Sequence, residues 1–228
     1  TVNATSGTAT ARNNADSSSR VSGVHVLSSD GSVDIGGALT VSSTVTSGAA
    51  TSGTYGTGNG NAYSNIDVAG VYIDSPDGAI TIGDDYTFTN TSTGGQATVN
   101  NGSGAALSQI YVAGLTALEG SIEVTGDVTS TVNAIGGKAK AINFATGTAD
   151  AGVMITGIDA HTTGTVTITG NVYLTSIGTS TEAESNNDVA TADVTTTGIS
   201  NYGTGTIQVD GSATITSTST SGLATGDS

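Results

Sequence analysis

The chain has no cysteine, no tryptophan and a single proline in 228 residues. Without cysteine it can form neither disulfides nor thiolate nucleophiles nor cysteine-ligated metal sites. Long apolar runs are also missing, since no segment approaches the roughly 18 consecutive apolar residues of a membrane-spanning helix. We therefore expect a protein that does not span a membrane.

Basic residues are scarce as well. Arg12, Arg20, Lys138 and Lys140 face 19 acidic residues, and the formal net charge is −15. Nucleic acids and anionic membranes are excluded as partners, because both are bound through clusters of Lys and Arg. Acidity of this kind keeps a β-rich surface in solution. The shortage of lysine also leaves few residues to protect the edges of a sheet.

A short phrase occurs five times in the chain. Each copy is a glycine, two β-branched aliphatic residues separated by one polar residue, and a turn residue. The copies are GSVDIGG, GAITIGD, GSIEVTG, GTVTITG and GTIQVDG, and they begin at Gly31, Gly78, Gly120, Gly164 and Gly205. Alternation of β-branched residues between glycines is typical of a strand.

The phrases recur at a nearly constant spacing. Successive intervals are 47, 42, 44 and 41 residues. A second phrase, built around Gly23, Gly70, Gly114, Gly157 and Gly198, recurs at similar intervals of 47, 44, 43 and 41 residues. Fixed periods of this length indicate stacked repeats, in which a unit buries its apolar face against its neighbours. We predict one β-solenoid over residues 1–228.

The alternating residues predict which side chains face inward. The core ladder is expected to be Val33, Ile35, Ile80, Ile82, Ile122, Val124, Val166, Ile168, Ile207 and Val209. A further strand in each repeat offers Leu39 and Val41, Tyr86 and Phe88, Val128, Val172 and Leu174, and Ala213 and Ile215. Parallel strands connected in this way favour a right-handed parallel β-helix without a capping helix.

The other half of each repeat is rich in Ala, Gly, Ser and Thr. Alternating alanines such as Ala139 and Ala141 suggest thin strands there. We favour two coils of about 22 residues per repeat over one coil with a long loop, because a structureless loop of that length would be unusual.

A polar column is expected after the second glycine of the phrase, at Asp84, Asp127, Asn171 and Ser212. Carboxylate and carbonyl oxygens are ligands for Ca²⁺, so Asp84, Asp127 and Asn171 are the candidate metal ligands. The alternative, which we favour, is that Asp and Asn stabilise tight turns by bonding their own backbone. We therefore predict no cofactor and keep Ca²⁺ as the alternative.

Other chemistry finds little support. His25 and His161 lie at different offsets from their glycines, so a shared metal or catalytic site is not expected. Basic residues are too few for a polysaccharide-cleaving site, and we predict no enzyme and no catalytic residues. Thr-x-Thr pairs raise the possibility of an ice-binding face. The equivalent positions of the phrase, however, are Asp34, Thr81, Glu123, Thr167 and Gln208, which do not form a threonine array.

The segments GSVDIGGALTVSS, GTVTITGNVYLTS and ATGTADAGVMITG resemble the repeats of bacterial filamentous haemagglutinin-like adhesins and autotransporter passengers. The resemblance extends over the whole chain, although no secretion domain is recognisable and five repeats make a short rod. It implies a β-helical rod with a role in attachment or cell-surface structure, and it carries over no catalytic residues.

The ends of the solenoid suggest the function. An uncapped end exposes unpaired strands, and neither a capping helix nor a lysine-rich terminal strand is evident. We expect an extracellular or cell-surface subunit that joins copies of itself head-to-tail into a filament or sheath. The alternative is a segment of a larger adhesin that binds cell-surface glycans or proteins.

Overall fold

The computed structural model describes residues 1–53, 60–101, 103–142, 147–186 and 188–226. These residues form strands and turns and contain no helix. No described segment could therefore cross a membrane as an apolar helix. The strands are β1 (Val2–Thr5), β2 (Ala9–Thr10), β3 (Ala15–Asp16), β4 (Ser19–Val26), β5 (Ser32–Ile35), β6 (Leu39–Thr46), β7 (Ala50–Ser52), β8 (Ala62–Tyr63), β9 (Ile66–Ile82), β10 (Tyr86–Thr93), β11 (Ala97–Val99), β12 (Ala106–Val124), β13 (Val128–Ile135), β14 (Ala139–Ala141), β15 (Ala149–Thr162), β16 (Thr165–Ile168), β17 (Val172–Thr179), β18 (Ala183–Ser185), β19 (Ala190–Gly203), β20 (Thr206–Val209), β21 (Ala213–Thr220) and β22 (Ala224–Gly226).

The strands form three parallel sheets. Sheet A has the order β1-β6-β10-β13-β17-β21, and sheet B has the order β2-β7-β11-β14-β18-β22. Sheet C contains the remaining ten strands, including the long β9, β12, β15 and β19. The chain passes from sheet A to sheet B to sheet C and then returns to sheet A. We call one such circuit a coil. This is the predicted parallel β-helix, while its right hand stays a prediction.

Each repeat makes one coil, so the prediction of two coils per repeat is wrong. Every strand of sheet A pairs with the strand one full repeat away, as in Leu39 with Tyr86 and Tyr86 with Val128. Two coils of half that length would have paired strands about half a repeat apart. The alanine-rich half supplies sheet B, where Ala139–Ala141 is a strand as predicted, and the beginning of sheet C.

The predicted core ladder is confirmed as a column. Val33 pairs with Ile80, Ile80 with Ile122, Ile122 with Val166, and Val166 with Ile207. The three central residues of this column are at most 1% exposed. The two terminal ones are only partly buried, since each has a neighbouring coil on one side. Burial in this fold therefore depends on stacking.

The glycine of the second phrase is needed for a steric reason. A methyl group on Gly70 or Gly114 would lie 2.5 Å from the carbonyl oxygen of the glycine in the next coil, and one on Gly157 would lie 2.6 Å from that of Gly198. The inward–outward alternation of sheet C also changes phase here, because Gly70 and Val71 are both buried. Only glycine lets the backbones stack at this corner.

Two apolar cores run along the axis. The larger one lies between sheets A and C and holds branched aliphatic residues with Tyr86 and Phe88. The smaller one lies beneath sheet B and is almost entirely alanine, including Ala50, Ala97 and Ala139. Alanine has little volume, so the sheets can approach closely at this narrow corner. This explains why the half of the repeat with the weaker sequence pattern is still ordered into strands.

Polar side chains inside the solenoid are paired with one another. Asn90, which is 1% exposed, donates to the hydroxyl of Ser43 at 3.0 Å and accepts from Ser92 at 2.9 Å. At the corner between sheets A and B, the Ser47 hydroxyl accepts the N–H of Gly95 in the next coil at 2.8 Å. Such bonds satisfy groups whose burial would otherwise be costly.

Candidate functional site

The predicted acidic column exists, but it begins at Asp85 and not at Asp84. Tyr86 pairs with Val128 and Val128 with Val172, so Asp85 aligns with Asp127 and Asn171. The turn between Ile82 and Tyr86 has three residues, like the equivalent turns of later coils, but its glycine comes one position earlier. Asp84 therefore aligns with Gly126, outside the column.

The side chains of this column bond the backbone of the next coil. Asp85 Oδ1 accepts the N–H of Asp127 at 2.8 Å, and Asp127 Oδ1 accepts the N–H of Asn171 at 2.7 Å. Asn171 Oδ1 in turn accepts the N–H of Ser212 at 3.0 Å. In the described part of the chain, no group of three His, Asp or Glu side chains could hold a metal ion. The bonds of this column join adjacent coils, so they differ from the local bonds within one turn that the sequence predicted.

The two histidines lie in separate columns of sheet C. His25 is on the first coil and meets Tyr72 edge-to-face, with 4.6 Å between the ring centroids. His161 is on the fourth coil, stacks on Tyr202 at 4.9 Å and lies 2.7 Å from a carboxylate oxygen of Asp159. The structure thus brings the histidines to no common site.

Three of the four basic residues pair with an acidic residue one coil further along. Arg20 Nε lies 2.9 Å from Asp67, Lys138 Nζ lies 2.9 Å from Glu182, and Lys140 Nζ lies 2.6 Å from Glu184. The hydrogen bond that Lys140 donates to Glu184 raises the pKa of Lys140, and the hydrogen bond that Lys138 donates to Glu182 lowers the pKa of Glu182. These exposed pairs support the stacking register more than they add to stability.

A groove runs along the outer face of sheet C. Three neighbouring cavities of about 220, 500 and 210 Å³ share Tyr111 in their lining. Register explains their alignment, because Arg20, Asp67, Tyr111 and Met154 occupy one column on successive coils. We call this surface the Tyr111 groove.

The groove combines apolar side chains with several hydrogen-bond acceptors. Gln109 donates to Asp150 Oδ2 at 2.7 Å and accepts from the Tyr111 hydroxyl at 3.1 Å. Asp150 Oδ1 is buried and has no partner among the described residues. Burial raises the pKa of Asp150, the hydrogen bond from Gln109 opposes this, and the nearby Asp193 raises the pKa further.

Thr116 and Asp159 also line the groove, and they occupy paired positions on adjacent strands. Thr116 is 6% exposed, and its hydroxyl has no partner in the described part of the chain. Asp159 accepts from the Ser200 hydroxyl at 2.6 Å. A groove with acceptors, an aromatic ring and few cations can bind hydroxyl or ammonium groups.

The ends of the solenoid are a second candidate site. At the C-terminal end, β21 pairs only with β17 and β22 only with β18 among the described strands. Every residue of β21 and β22 is exposed. At the other end, β1 and β2 likewise pair on one side only, with β6 and β7. Among the described residues, the outer edges of these four strands therefore have no backbone partner.

Comparison of this chain with protein-family models, curated proteins and solved structures finds no match to any of them. The Tyr111 groove was missed by sequence reasoning, because its lining comes from five coils. The only signal in the sequence was the shared distance of Arg20, Asp67 and Tyr111 from the glycine of the second phrase.

Proposed function

We propose that the protein is an extracellular structural subunit that joins copies of itself head-to-tail through β-stacking into a filament or sheath. The observation that carries this proposal is the pair of open ends. A parallel sheet edge is a ready template for another strand, and a contact between two different ends does not close on itself. Such a contact produces a fibre.

The composition of the ends supports association. The last circuit of strands, residues 190–226, contains neither Lys nor Arg nor Pro, the residues that commonly protect an edge. Its charged residues are Asp193 and Asp210, and residues 1–35 carry three Asp against two Arg. Only a small part of the net charge of −15 therefore lies at the two ends, and repulsion between them is weak.

Apolar side chains at the ends also lack a covering coil. Ile215 on β21 is 47% exposed, Leu223 just before β22 is 67% exposed, and Val2 on β1 is 38% exposed. The equivalents of Ile215 in the inner coils, such as Leu174 and Phe88, are buried. A second copy stacked on β21 and β22 would cover Ile215 in the same way.

The topology predicts the geometry of the joint. Strand β21 of one copy would pair with β1 of the next, and β22 with β2. Sheets A and B each hold six strands, so the axial repeat of the filament would be about 29 Å, six times the strand spacing of ~4.8 Å. Sheet C has five levels, and we expect it to be interrupted at each joint.

A proline substitution at the free edge tests the joint. The N–H of Val172 bonds to Ser212 and the N–H of Ser180 bonds to Thr220, so even-numbered residues of β21 face β17. Ser217 therefore directs its N–H to the free edge. Ser217→Pro would remove no existing hydrogen bond of the subunit, while Ser217→Ala is the matched control.

Electron microscopy and sedimentation provide the measurement. We expect the unmodified chain and Ser217→Ala to form filaments with the predicted repeat, and Ser217→Pro to remain a 22.0 kDa species with an unchanged circular dichroism spectrum. Filaments that persist in Ser217→Pro, or an unmodified chain that stays monomeric at every concentration, would contradict the proposal.

The alternative is a segment of a larger surface adhesin, and the Tyr111 groove favours it. Four carboxylates, Asp67, Asp150, Asp159 and Asp193, lie around an aromatic ring and suit the hydroxyls of a neutral cell-surface glycan. Titration with neutral oligosaccharides tests this, with Tyr111→Ala expected to abolish binding. Tyr173→Ala is the control, since Tyr173 is 44% exposed and Tyr111 is 41% exposed. Equal binding by both variants would contradict the role of the groove.

A further inference from the structure

The outer face of sheet A is an array of threonines. The second, fourth, sixth and eighth residues of β6, β10, β13, β17 and β21 point outward, opposite the buried residues of the inner strands. Their sequences are LTVSSTVT, YTFTNTST, VTSTVNAI, VYLTSIGT and ATITSTST. Threonine occupies three, four, two, two and four of these positions, which is fifteen of twenty. We call this surface the threonine face.

The threonine face carries no charge. Its other five residues are Ser42, Asn133, Ile135, Tyr173 and Ile177. This is unusual in a chain with 19 acidic residues, because solvent-facing positions are where such charges normally lie. The outer face of sheet C, in contrast, has Arg20, Asp67, Tyr111, Met154 and Thr195 in a single column. The high β-propensity of threonine would apply to both sheets, so it does not explain the difference.

The outward positions of this face form a two-dimensional lattice. All eight residues of each of the five strands pair in register with no bulge. These positions, fifteen of them threonine, therefore repeat at ~4.8 Å across the strands and at roughly 6.7 Å along them. In the described part of the chain, the hydroxyls of Thr89, Thr131 and Thr175 bond to no other side chain, so they are available to a ligand.

A surface of this kind matches a partner that is itself periodic and uncharged. A flexible or globular partner would use a few of the hydroxyls and gain nothing from their regular spacing. An ionic mineral would require charged ligands, which the threonine face lacks. Each threonine offers a hydroxyl that both donates and accepts hydrogen bonds and a methyl group that is poorly hydrated. Crystalline water has spacings in the same range and consists of donors and acceptors alone.

We propose that the threonine face binds ice. Hydroxyls of adjacent coils take positions equivalent to lattice water, and the methyl groups between them order the water layer at the surface. This activity is independent of the filament joint, because the threonine face lies on the side of the solenoid and not at its ends. The mixed column of Thr81, Glu123 and Thr167, which does not form a threonine array, lies on sheet C and not on the threonine face.

The test is the thermal hysteresis of the purified chain, together with adsorption of the labelled protein to a growing ice surface. Thr131 lies in the centre of the array, between Thr89 and Thr175. Thr131→Lys introduces a charge into the lattice without disturbing the core, and Thr89→Lys is a second variant of the same kind. The matched control is Thr167→Lys, on the outer side of sheet C.

We expect the unmodified chain and Thr167→Lys to produce hysteresis and to adsorb to ice. The hysteresis and the ice adsorption of Thr131→Lys and Thr89→Lys should fall severalfold, toward the level of plain buffer. The circular dichroism spectra of both variants should remain unchanged. The proposal is overturned if the unmodified chain produces no hysteresis and no adsorption, or if Thr131→Lys and Thr89→Lys are as active as the unmodified chain. Adsorption to crystalline cellulose without adsorption to ice would also overturn it.

Discussion

The stacking of coils predicts that replacing isoleucine with alanine will lower the free energy of unfolding by very different amounts at two positions of one column. Ile122 is 1% exposed and lies between Ile80 and Val166, while Ile207 ends the same column and is only partly buried. Replacing Ile122 with alanine removes three buried carbon groups at about 0.8 kcal/mol each. The cavity left behind raises the loss in the free energy of unfolding to about 3–4 kcal/mol.

Ile207→Ala should cost about 1 kcal/mol, because Ile207 has a neighbouring coil on only one side and its removal leaves no closed cavity. Urea unfolding followed by circular dichroism, at a protein concentration that keeps the subunits apart, measures both values. The two variants share the residue type, the strand type and the column, so their difference reports the contribution of the second neighbouring coil. Equal losses at the two positions would refute stacking as the source of the core.

Three other predictions follow from single contacts. Gly114→Ala should destabilise the chain by about 3 kcal/mol, because its methyl group meets a backbone oxygen at 2.5 Å. Gly37→Ala, with no atom within 4 Å, should be neutral or slightly stabilising, and equal losses in urea unfolding would contradict the steric argument. Glu184→Gln should lower the raised pKa of Lys140, as measured by NMR of its Nζ. The stabilisation from this pair, below about 1 kcal/mol, should be present below the ordinary lysine pKa of 10.5 and lost as the pH rises through the higher folded pKa. A pKa unchanged by the substitution would exclude the pairing. Burial strongly raises the pKa of Tyr86, so Tyr86→Phe should leave the alkaline absorbance titration of the folded chain unchanged. Tyr86→Phe should also lower the free energy of unfolding by about 1 kcal/mol. The reason is that it removes the 3.0 Å hydrogen bond that the Tyr86 hydroxyl donates to the carbonyl oxygen of Gly114.

Several features of the candidate sites could not be read from the sequence. Asp84 satisfies the turn pattern as well as Asp85 does, and only the pairing of Tyr86 with Val128 shows which one joins the column. The Tyr111 groove and the threonine face require side chains separated by 41 to 47 residues to lie side by side. Thr-x-Thr pairs were visible in the chain, but the sheet that aligns them was not.

The sequence by itself determined the strands, the repeat and the inward column of Val33, Ile80, Ile122, Val166 and Ile207. These depend on period-two alternation and on glycines at a fixed spacing, both of which are local in the chain. The tertiary structure alone decided that each repeat makes one coil and which outward residues share a face. The period-two alternation of residues predicts which side chains point outward. The neighbours of an outward side chain, however, are set by the pairing of strands one coil apart.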